Sequence, residues 1–254
     1  MAHSNSSRLC LKLAALSVLL MGLFFFAGKG PRVRPAVAAP QALTVQVEPQ
    51  PQSPLQISST SILSFDLFSP KIELIITNTG GKGIRAFTVS REVVTGAGGT
   101  IRASTLTNLT TQRKVLQPGQ SKTDVVSEPY SQQPISRIIF SVDFVEFVNG
   151  ETWGKDTNNS ADRLAGQRAG GRAAHEHFRR LLAQKGASSL LEALTTEENV
   201  LTPPQQNSPE WQDGFKNGAG LVRIRLNRSR QEGGLGRVER ELRQNYDTLE
   251  GRPE

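Results

Sequence analysis

The sequence is nearly free of cysteine, because Cys10 is the only one in 254 residues. The rest of the chain therefore forms no disulfide, no thiolate zinc site and no cysteine nucleophile. Its folded part must be held by a hydrophobic core alone, which about a hundred residues can supply. Histidine is also scarce: the chain has three, one near the amino terminus and the other two at His175 and His177. Few histidines are therefore available for a Ser-His-Asp triad.

Acidic residues are absent from the first 39 positions, and this absence explains the net charge. The chain carries +7 overall, and five of these charges come from Arg8, Lys12, Lys29, Arg32 and Arg34. The remainder is almost neutral. A basic chain often binds nucleic acid, but here the charge belongs to a leader segment, so no nucleic-acid partner is expected.

The leader contains an uncharged run from Leu13 to Ala27 that follows Arg8 and Lys12. A short apolar run behind basic residues is typical of a secretory signal, and Ala36-Val37-Ala38 is a cleavage signal before Ala39. Residues 9–27 form a membrane anchor instead if the leader stays attached. Residues 1–38 are thus a signal peptide or an N-terminal anchor. Both interpretations predict an extracytoplasmic location, in the periplasm, on the cell surface or secreted.

Composition divides the remaining chain into three parts. Residues 39–54 are rich in proline and glutamine, which predicts an extended linker. Residues 55–153 contain short alternating apolar runs separated by turns, which predicts antiparallel strands. Residues 157–249 have helical spacing and predict a helical region. The fold class expected is α+β with the two kinds of structure in separate regions.

The clearest strand is predicted from Arg137 to Val148. Ile138, Phe140, Val142 and Phe144 alternate on one face, and Val145 and Phe147 then take over as the apolar set. A β-bulge near Phe144 and Val145 would repair this change of parity. Asn149-Gly150 then predicts a two-residue hairpin that pairs Glu146 with Trp153.

Three features of residues 55–153 carry a resemblance to a known class of domain. They are the strand ending Ile76-Thr77-Asn78-Thr79-Gly80, the turn Leu116-Gln117-Pro118-Gly119 and the long penultimate strand. The segment resembles the immunoglobulin-like modules common in exported bacterial proteins. It departs from antibody-type domains because it lacks the cysteine pair and the core Trp of the third strand. The resemblance implies an antiparallel Ig-like β-sandwich and no particular activity.

The helical region has recognisable ends. Asp156, Thr157 or Ser160 is expected to cap a helix that ends at Gly186. Ser208-Pro209-Glu210 opens a second helix, which Gly233-Gly234 stops before a short last helix over 236–249. The second helix has an apolar stripe at spacings of three and four, made of Trp211, Phe215, Ala219, Val222 and Leu226.

Two clusters resemble metal sites at first sight. His175 and His177 flank Glu176, but residues two apart on a helix point in different directions, whereas chelation needs an i, i+4 pair. Asp156, Asn158, Ser160 and Asp162 alternate like the start of a calcium loop. Ala161 stands where such a loop needs glycine, and Gln167 where it needs glutamate. Neither cluster predicts a metal site, and no cofactor is expected.

Asp143 and Glu146 share one strand face if the bulge is real, with Glu151 nearby. Paired carboxylates carry out general acid and base chemistry in glycoside hydrolysis. Acids on the solvent face of a half-buried strand are nevertheless the usual arrangement, and a flat surface does not perturb their pKa values. No catalytic residue is therefore predicted.

Two further helical patterns suggest contacts rather than chemistry. Gly166 and Gly170 lie beside a row of alanines at Ala165, Ala169 and Ala173, and rows of small residues let another backbone approach closely. In the second helix, four arginines spread around the axis and are followed by acids, as on a solvated helix; they are Arg223, Arg225, Arg228 and Arg230.

These patterns favour a non-catalytic binding or structural module of the cell envelope, exported or membrane-tethered. Its partner would be an unknown protein or an envelope polymer, with membrane contact through residues 9–27. Two alternatives stay open. One is an envelope hydrolase that uses Asp143, Glu146 and Glu151, and the other is a membrane-anchored regulator that recruits a partner through its C-terminal helices.

Overall fold

A computed structural model describes residues 42–112, 114–128, 131–196, 201–205 and 207–246. Strands occupy the first part of this range and helices the last, as predicted. The strands are β1 (Thr44–Val47), β2 (Leu55–Ser64), β3 (Lys71–Asn78), β4 (Ile84–Thr95), β5 (Thr100–Asn108), β6 (Ser121–Ser127), β7 (Ile135–Phe147) and β8 (Thr152–Gly154), with a short 3-10 helix at Leu109–Gln112 after β5.

The strands form two sheets. The larger has the order β1-β7-β4-β5, with β8 also paired to β7, and the smaller has the order β2-β3-β6. All pairs are antiparallel except β1 and β7, which run parallel from Thr44 opposite Arg137 to Val47 opposite Phe140. This corrects two expectations: the larger sheet is mixed, and the segment 39–54, predicted as a linker, contributes a strand.

The two sheets share one hydrophobic core. Alternate residues of β3 are buried, and alternate residues of β7 face them; they are Ile72, Leu74, Ile76, Ile138, Phe140 and Val142. Burying a side chain of this size contributes about 1.5–3 kcal/mol relative to leaving it exposed. The faces turned away from this core are called the outer faces below.

The bulge in β7 exists, one residue earlier than predicted. Val142 lies opposite Val89 and Phe144 opposite Thr88, so Asp143 is the extra residue. Phe144 therefore leaves the shared core and packs on the outer face with Ala86. The predicted side-chain face is correct for Ile138, Phe140 and Val142 and wrong for Phe144.

The hairpin between β7 and β8 has one loop residue more than predicted. Glu146 lies opposite Thr152, and Val145, not Glu146, lies opposite Trp153. The amide of Gly150 donates to the carbonyl of Phe147 (3.0 Å), and Gly150 has φ of 89°. A three-residue loop with glycine at the left-handed position produces this register.

The helices are α1 (Ser160–Thr196) and α2 (Pro209–Arg243). Ser208 caps α2 as predicted, because its hydroxyl accepts from the amide of Trp211 (3.2 Å). A helix ends at Gly186 as predicted, where φ is 80° and ψ is −175°, and a second helical segment follows it up to Thr196 within α1. The break expected at Gly233-Gly234 is present inside α2.

The two helices are built on one repeated pattern with an offset of 48 residues. Gly166 corresponds to Gly214, Gly170 to Gly218 and Gly186 to Gly234. Gly186 and Gly234 have the same backbone conformation, with φ of 80° and 64° and ψ of −175° and −167°. Each helix therefore breaks at the same place in its repeat.

The repeats pack against each other through their equivalent positions. Their common core contains four corresponding pairs, which are Ala174 and Val222, Phe178 and Leu226, Leu190 and Val238, and Leu194 and Leu242. The first turns of α1 also pack on the outer face of the larger sheet, where Leu164 is buried with Ala86 and Phe144. The helices thus pack both on each other and on the sheet.

No helix in the described ranges is long and apolar enough to span a membrane. The predicted leader, residues 1–38 with the apolar run Leu13–Ala27, lies outside those ranges. Its export and anchoring roles therefore stay predictions from the sequence.

Candidate functional site

Asp143 joins the sheet to the first helix. As the bulge residue of β7, it is 7% exposed, and its carboxylate accepts from the amide and hydroxyl of Thr157 (3.2 and 2.7 Å) and from the side-chain amide of Asn158 (2.9 Å). Burial alone would raise the pKa of Asp143, but the hydrogen bonds from Thr157 and Asn158 outweigh it and lower the pKa below its ordinary value. The carboxylate stays charged and orders the β8–α1 connection.

Asp156 in the same connection caps α1. Its carboxylate accepts from the amides of Ser160 (2.5 Å) and Ala161 (3.0 Å), which confirms one of the three predicted caps. The hydroxyl of Ser160 instead contacts that of Thr88 on β4 (2.7 Å) and is buried.

Glu146 holds α1 against the sheet. Its side chain is 8% exposed and lies between two guanidinium groups, that of Arg85 on β4 (2.6 Å) and that of Arg168 on α1 (2.8 Å). Burial alone would raise the pKa of Glu146, yet the hydrogen bonds and positive charges of Arg168 and Arg85 prevail and lower it. The cluster neutralises one buried carboxylate between the two layers.

Glu151 belongs to neither of these arrangements. It lies in the exposed β7–β8 hairpin and pairs with Lys82, whose ammonium is the main cause of its lowered pKa. The three carboxylates that the sequence groups together thus have three separate sets of partners, and no two of them share one.

An open groove lies on the outer face of the larger sheet. Its volume is about 1260 Å³. Ser90 of β4 lies opposite Ser141 of β7, and Glu92 lies opposite Ile139, so these residues form the floor. The walls are the segments 46–53 and 153–158. The carboxylate of Asp143, which accepts a hydrogen bond from Asn158, lies at the second of these walls.

The wall over 46–53 is attached to the sheet through a side chain. Gln50 donates its amide to the carbonyl of Val142 (2.9 Å) and accepts from the amide of Val142 (2.8 Å). It therefore takes the place of a strand residue between the end of β1 and the start of β8. This pairing satisfies backbone groups that would otherwise be left without partners.

The groove offers many groups that can form hydrogen bonds. Its lining includes the Glu92–Arg102 ion pair (3.3 Å), the hydroxyls of Ser90 and Ser141, and the exposed Lys155. Histidine and cysteine are missing from the lining residues. Apolar side chains, among them Ile139 and Trp153, line the groove beside these polar groups.

The histidine pair lies away from this groove, in the helical region. His175 is 5% exposed, lies 5.7 Å from the ring of Tyr246, and contacts the backbone carbonyl of Glu241 (3.4 Å). Burial is the main cause that lowers its pKa. His177 instead contacts Phe178 edge to face, at 5.4 Å. The two rings thus have different neighbours, as the helical spacing predicts.

The candidate calcium ligands also point to different partners. Asp156 caps α1, Asn158 donates to Asp143, Ser160 contacts Thr88, and Asp162 accepts from the hydroxyl of Ser208 (2.7 Å). Within the described ranges, no group of three or more His, Cys, Asp and Glu side chains could hold a metal ion.

The structure confirms one of the two patterns predicted for the helices, the close approach at the small residues, and corrects the other, the solvated arginines. Gly166 and Gly170 contact the backbone of α2, so the predicted close approach is confirmed for the glycines, with α2 as the partner. Ala165 beside them is exposed. In the arginine-rich stretch, Arg225 is not solvated as expected, because it pairs with Glu241 and lies 5.6 Å from the ring of Tyr246.

The sequence did not predict the groove. Its walls and floor come from segments far apart in the chain, and none of them contains a motif. The one local signal is the alternation of polar residues with core residues along β4 and β7, which any half-buried strand shows.

Comparisons with known proteins give no family. No family model matches the chain, and no curated protein matches it. Among solved structures, it is similar to a hypothetical protein from Peptoclostridium difficile 630 (13% identity over 44% of this chain and 91% of that one, TM-score 0.30). It is also similar to the putative ApaA protein from Bordetella pertussis (13%, 39% and 84%, TM-score 0.28) and to beta-glucosidase 3B from Thermotoga neapolitana (17%, 39% and 16%, TM-score 0.24). These low scores indicate no function.

Proposed function

We propose that the protein is a non-catalytic binding module of the cell envelope, and that its groove holds an extended polar polymer. The observation that carries this proposal is the open groove of about 1260 Å³ with a floor of serine hydroxyls and an ion pair. A polymer with hydroxyl and amide groups, such as a cell-wall glycan with its peptides, would match this lining.

The partners of the carboxylates support a binding role over the hydrolase alternative. A general acid needs a raised pKa and access to substrate. Asp143 and Glu146 both have lowered pKa values, and their oxygens accept hydrogen bonds from Thr157, Asn158, Arg85 and Arg168. Both acids thus serve the attachment of α1 to the sheet.

The proposal includes an Ig-like sandwich for residues 55–153 and an exported location. Two facing sheets with one shared core, held without cysteine, support the sandwich. The basic front end and the apolar run Leu13–Ala27 support export, with the leader either cleaved before Ala39 or kept as an anchor.

A second candidate is a membrane-anchored regulator that recruits a protein through its helices. Leu221 and Ile224 favour it, since they lie about one turn apart on α2 and are 37% and 54% exposed. Exposed apolar neighbours on a helix are a common element of protein interfaces.

Co-sedimentation of the full chain with insoluble cell-wall sacculi tests the groove. Ser141→Trp places a large side chain on the groove floor, and Ser61→Trp places the same side chain on the outer face of the smaller sheet. We expect the wild type and S61W to sediment with the sacculi and S141W to remain in the supernatant. Equal sedimentation of the two variants, or none by the wild type, would overturn the assignment of the groove to this polymer.

A further inference from the structure

Large apolar side chains are exposed at one end of the β region. Leu63, near the end of β2, is 54% exposed, and Phe65 and Phe68, in the β2–β3 connection, are 76% and 37% exposed. Ile101 at the start of β5 is 54% exposed. These are four of the nine large apolar residues that are exposed in the described ranges. We call this group of four the apolar tip.

Hydrogen bonds show that the segments of the apolar tip meet at one end of the two sheets. The amide of Ile135, the first residue of β7, donates to the carbonyl of Leu67 (2.8 Å). The amide of Gly96, in the β4–β5 turn, donates to the carbonyl of Pro134 (2.8 Å). The β2–β3 connection, the β4–β5 turn and the start of β7 therefore lie side by side.

The polypeptide also enters the sheets at this end. Thr44, the first residue of β1, lies opposite Arg137, two residues into β7. Because β1 runs parallel to β7, the chain before Thr44 leaves the sheet on the side of Ile135 and the apolar tip. Residues 1–41, with the apolar run Leu13–Ala27, are thus connected to the folded part at this end.

The chemistry of this end fits the surface of a lipid bilayer. Aromatic and aliphatic side chains enter the boundary between headgroups and acyl chains, and nearby basic residues contact anionic headgroups. Lys71 and Arg137 are exposed at the same end. The carboxylate of Asp66 accepts from the amide of Phe68 (2.9 Å), so this acid orders the connection.

We infer that the apolar tip is a second membrane contact, which inserts Phe65 and Leu63 into the bilayer surface to which the leader anchors the chain. This inference rests on the anchored form of the proposed function. The anchor holds the apolar tip close to the bilayer, and this high local concentration lets a weak contact of the tip with the surface persist. The tip would then fix the orientation of the β region, with the β7–β8 hairpin pointing away from the membrane.

Quenching by brominated lipid tests this orientation in the full chain. The protein is reconstituted into vesicles of phosphatidylcholine and phosphatidylglycerol with brominated acyl chains, and tryptophan emission is compared with that in unbrominated vesicles. Phe65→Trp reports on the tip. Val148→Trp is the matched control, because Val148 is 45% exposed at the opposite end of β7. The wild type supplies the background from its two tryptophans.

We expect the emission that F65W adds to the wild-type signal to be largely lost in brominated vesicles, and that added by V148W to be unchanged. If the protein floats with the vesicles but neither variant is quenched, or both are quenched equally, the membrane contact of the tip is overturned and the anchor stands. If the protein does not float with the vesicles, the anchored form of the proposed function fails, and the tip inference fails with it.

Discussion

Gly166 of α1 contacts α2 in the same way as Gly214 of α2 contacts α1. A Cβ atom on Gly166 would lie 2.0 Å from the carbonyl oxygen of Trp211, and one on Gly214 would lie 2.1 Å from that of Arg163. Trp211 and Arg163 are 48 residues apart, as are the two glycines. A pseudo-twofold axis therefore relates the two contacts, and the two repeats pack like the two subunits of a parallel dimer.

Replacing either glycine should separate the helices by the same amount. Gly166→Ala and Gly214→Ala each place a methyl group inside van der Waals distance of a backbone oxygen, which cannot move without moving its helix. We expect each variant to lower the free energy of unfolding by about 2–3 kcal/mol. Urea unfolding followed by circular dichroism measures both values, which the symmetry predicts to be equal within error.

Gly220→Ala is the matched control in the same helix. Outside its own stretch of helix, no atom lies within 4 Å of the position of its Cβ. The substitution should therefore raise the free energy of unfolding by about 0.5–1 kcal/mol, since alanine is the better helix former. Stabilisation by all three substitutions would show that the close contact between the helices does not exist.

The local signals of the sequence predicted the positions of elements better than their pairing. The cap at Ser208, the breaks at Gly186 and Gly233-Gly234, and a bulge in β7 all depend on the conformational preferences of neighbouring residues. The predicted hairpin register was wrong because Asn149-Gly150 fits two loop lengths. In the structure, Trp153 lies opposite Val145 and packs beside the core. The predicted face for the side chain of Phe144 was wrong because the bulge lies at Asp143.

Features that join distant segments were beyond the reach of local patterns. β1 is a short strand among prolines, and its parallel partner lies about 90 residues further along the chain. The groove depends on that pairing. The repeat did leave a signal, because Gly166, Gly170 and Gly186 recur 48 positions later. Comparing the sequence with itself at a fixed offset would have found it.

Glu146→Gln should destabilise the fold, although it changes a single atom. The substitution leaves Arg85 and Arg168 buried without their shared negative charge, with side chains 16% and 11% exposed. Removing one member of a buried ion cluster costs about 3–5 kcal/mol. Thermal and urea unfolding measure the loss. The exposed Glu151→Gln should unfold at the wild-type midpoint, and equal midpoints for both variants would exclude a structural role for Glu146.

Stability should fall at acidic pH through Asp143 and Glu146. Their pKa values in the folded chain lie below the ordinary values of 3.8 and 4.5. Their contribution is therefore fully present above these ordinary values and is lost as pH falls through the lowered ones. Burial raises the pKa of Glu128, so this residue opposes the trend, and its contribution is lost as pH rises through that raised value.

Urea midpoints measured at pH 7 and at pH 3 check this balance. We expect the wild-type midpoint to be lower at pH 3, since protonation of Glu146 leaves the buried guanidinium groups of Arg85 and Arg168 without their shared negative charge. The difference between the two midpoints should be smaller in E146Q, which has lost one titrating group. A variant with the full wild-type difference would mean that Glu146 does not contribute to the pH dependence.

Gln50→Leu should open the edge of β7 without removing a strand. The side chain of Gln50 satisfies both the amide and the carbonyl of Val142, and leucine satisfies neither. Leaving buried backbone groups unpaired costs about 1–3 kcal/mol. Gln52→Leu is the control, because Gln52 is exposed in the same wall of the groove. Hydrogen exchange should be faster at the amide of Val142 in Q50L and unchanged in Q52L. Unchanged exchange at this amide in Q50L would show that the wall is held to the sheet by other contacts.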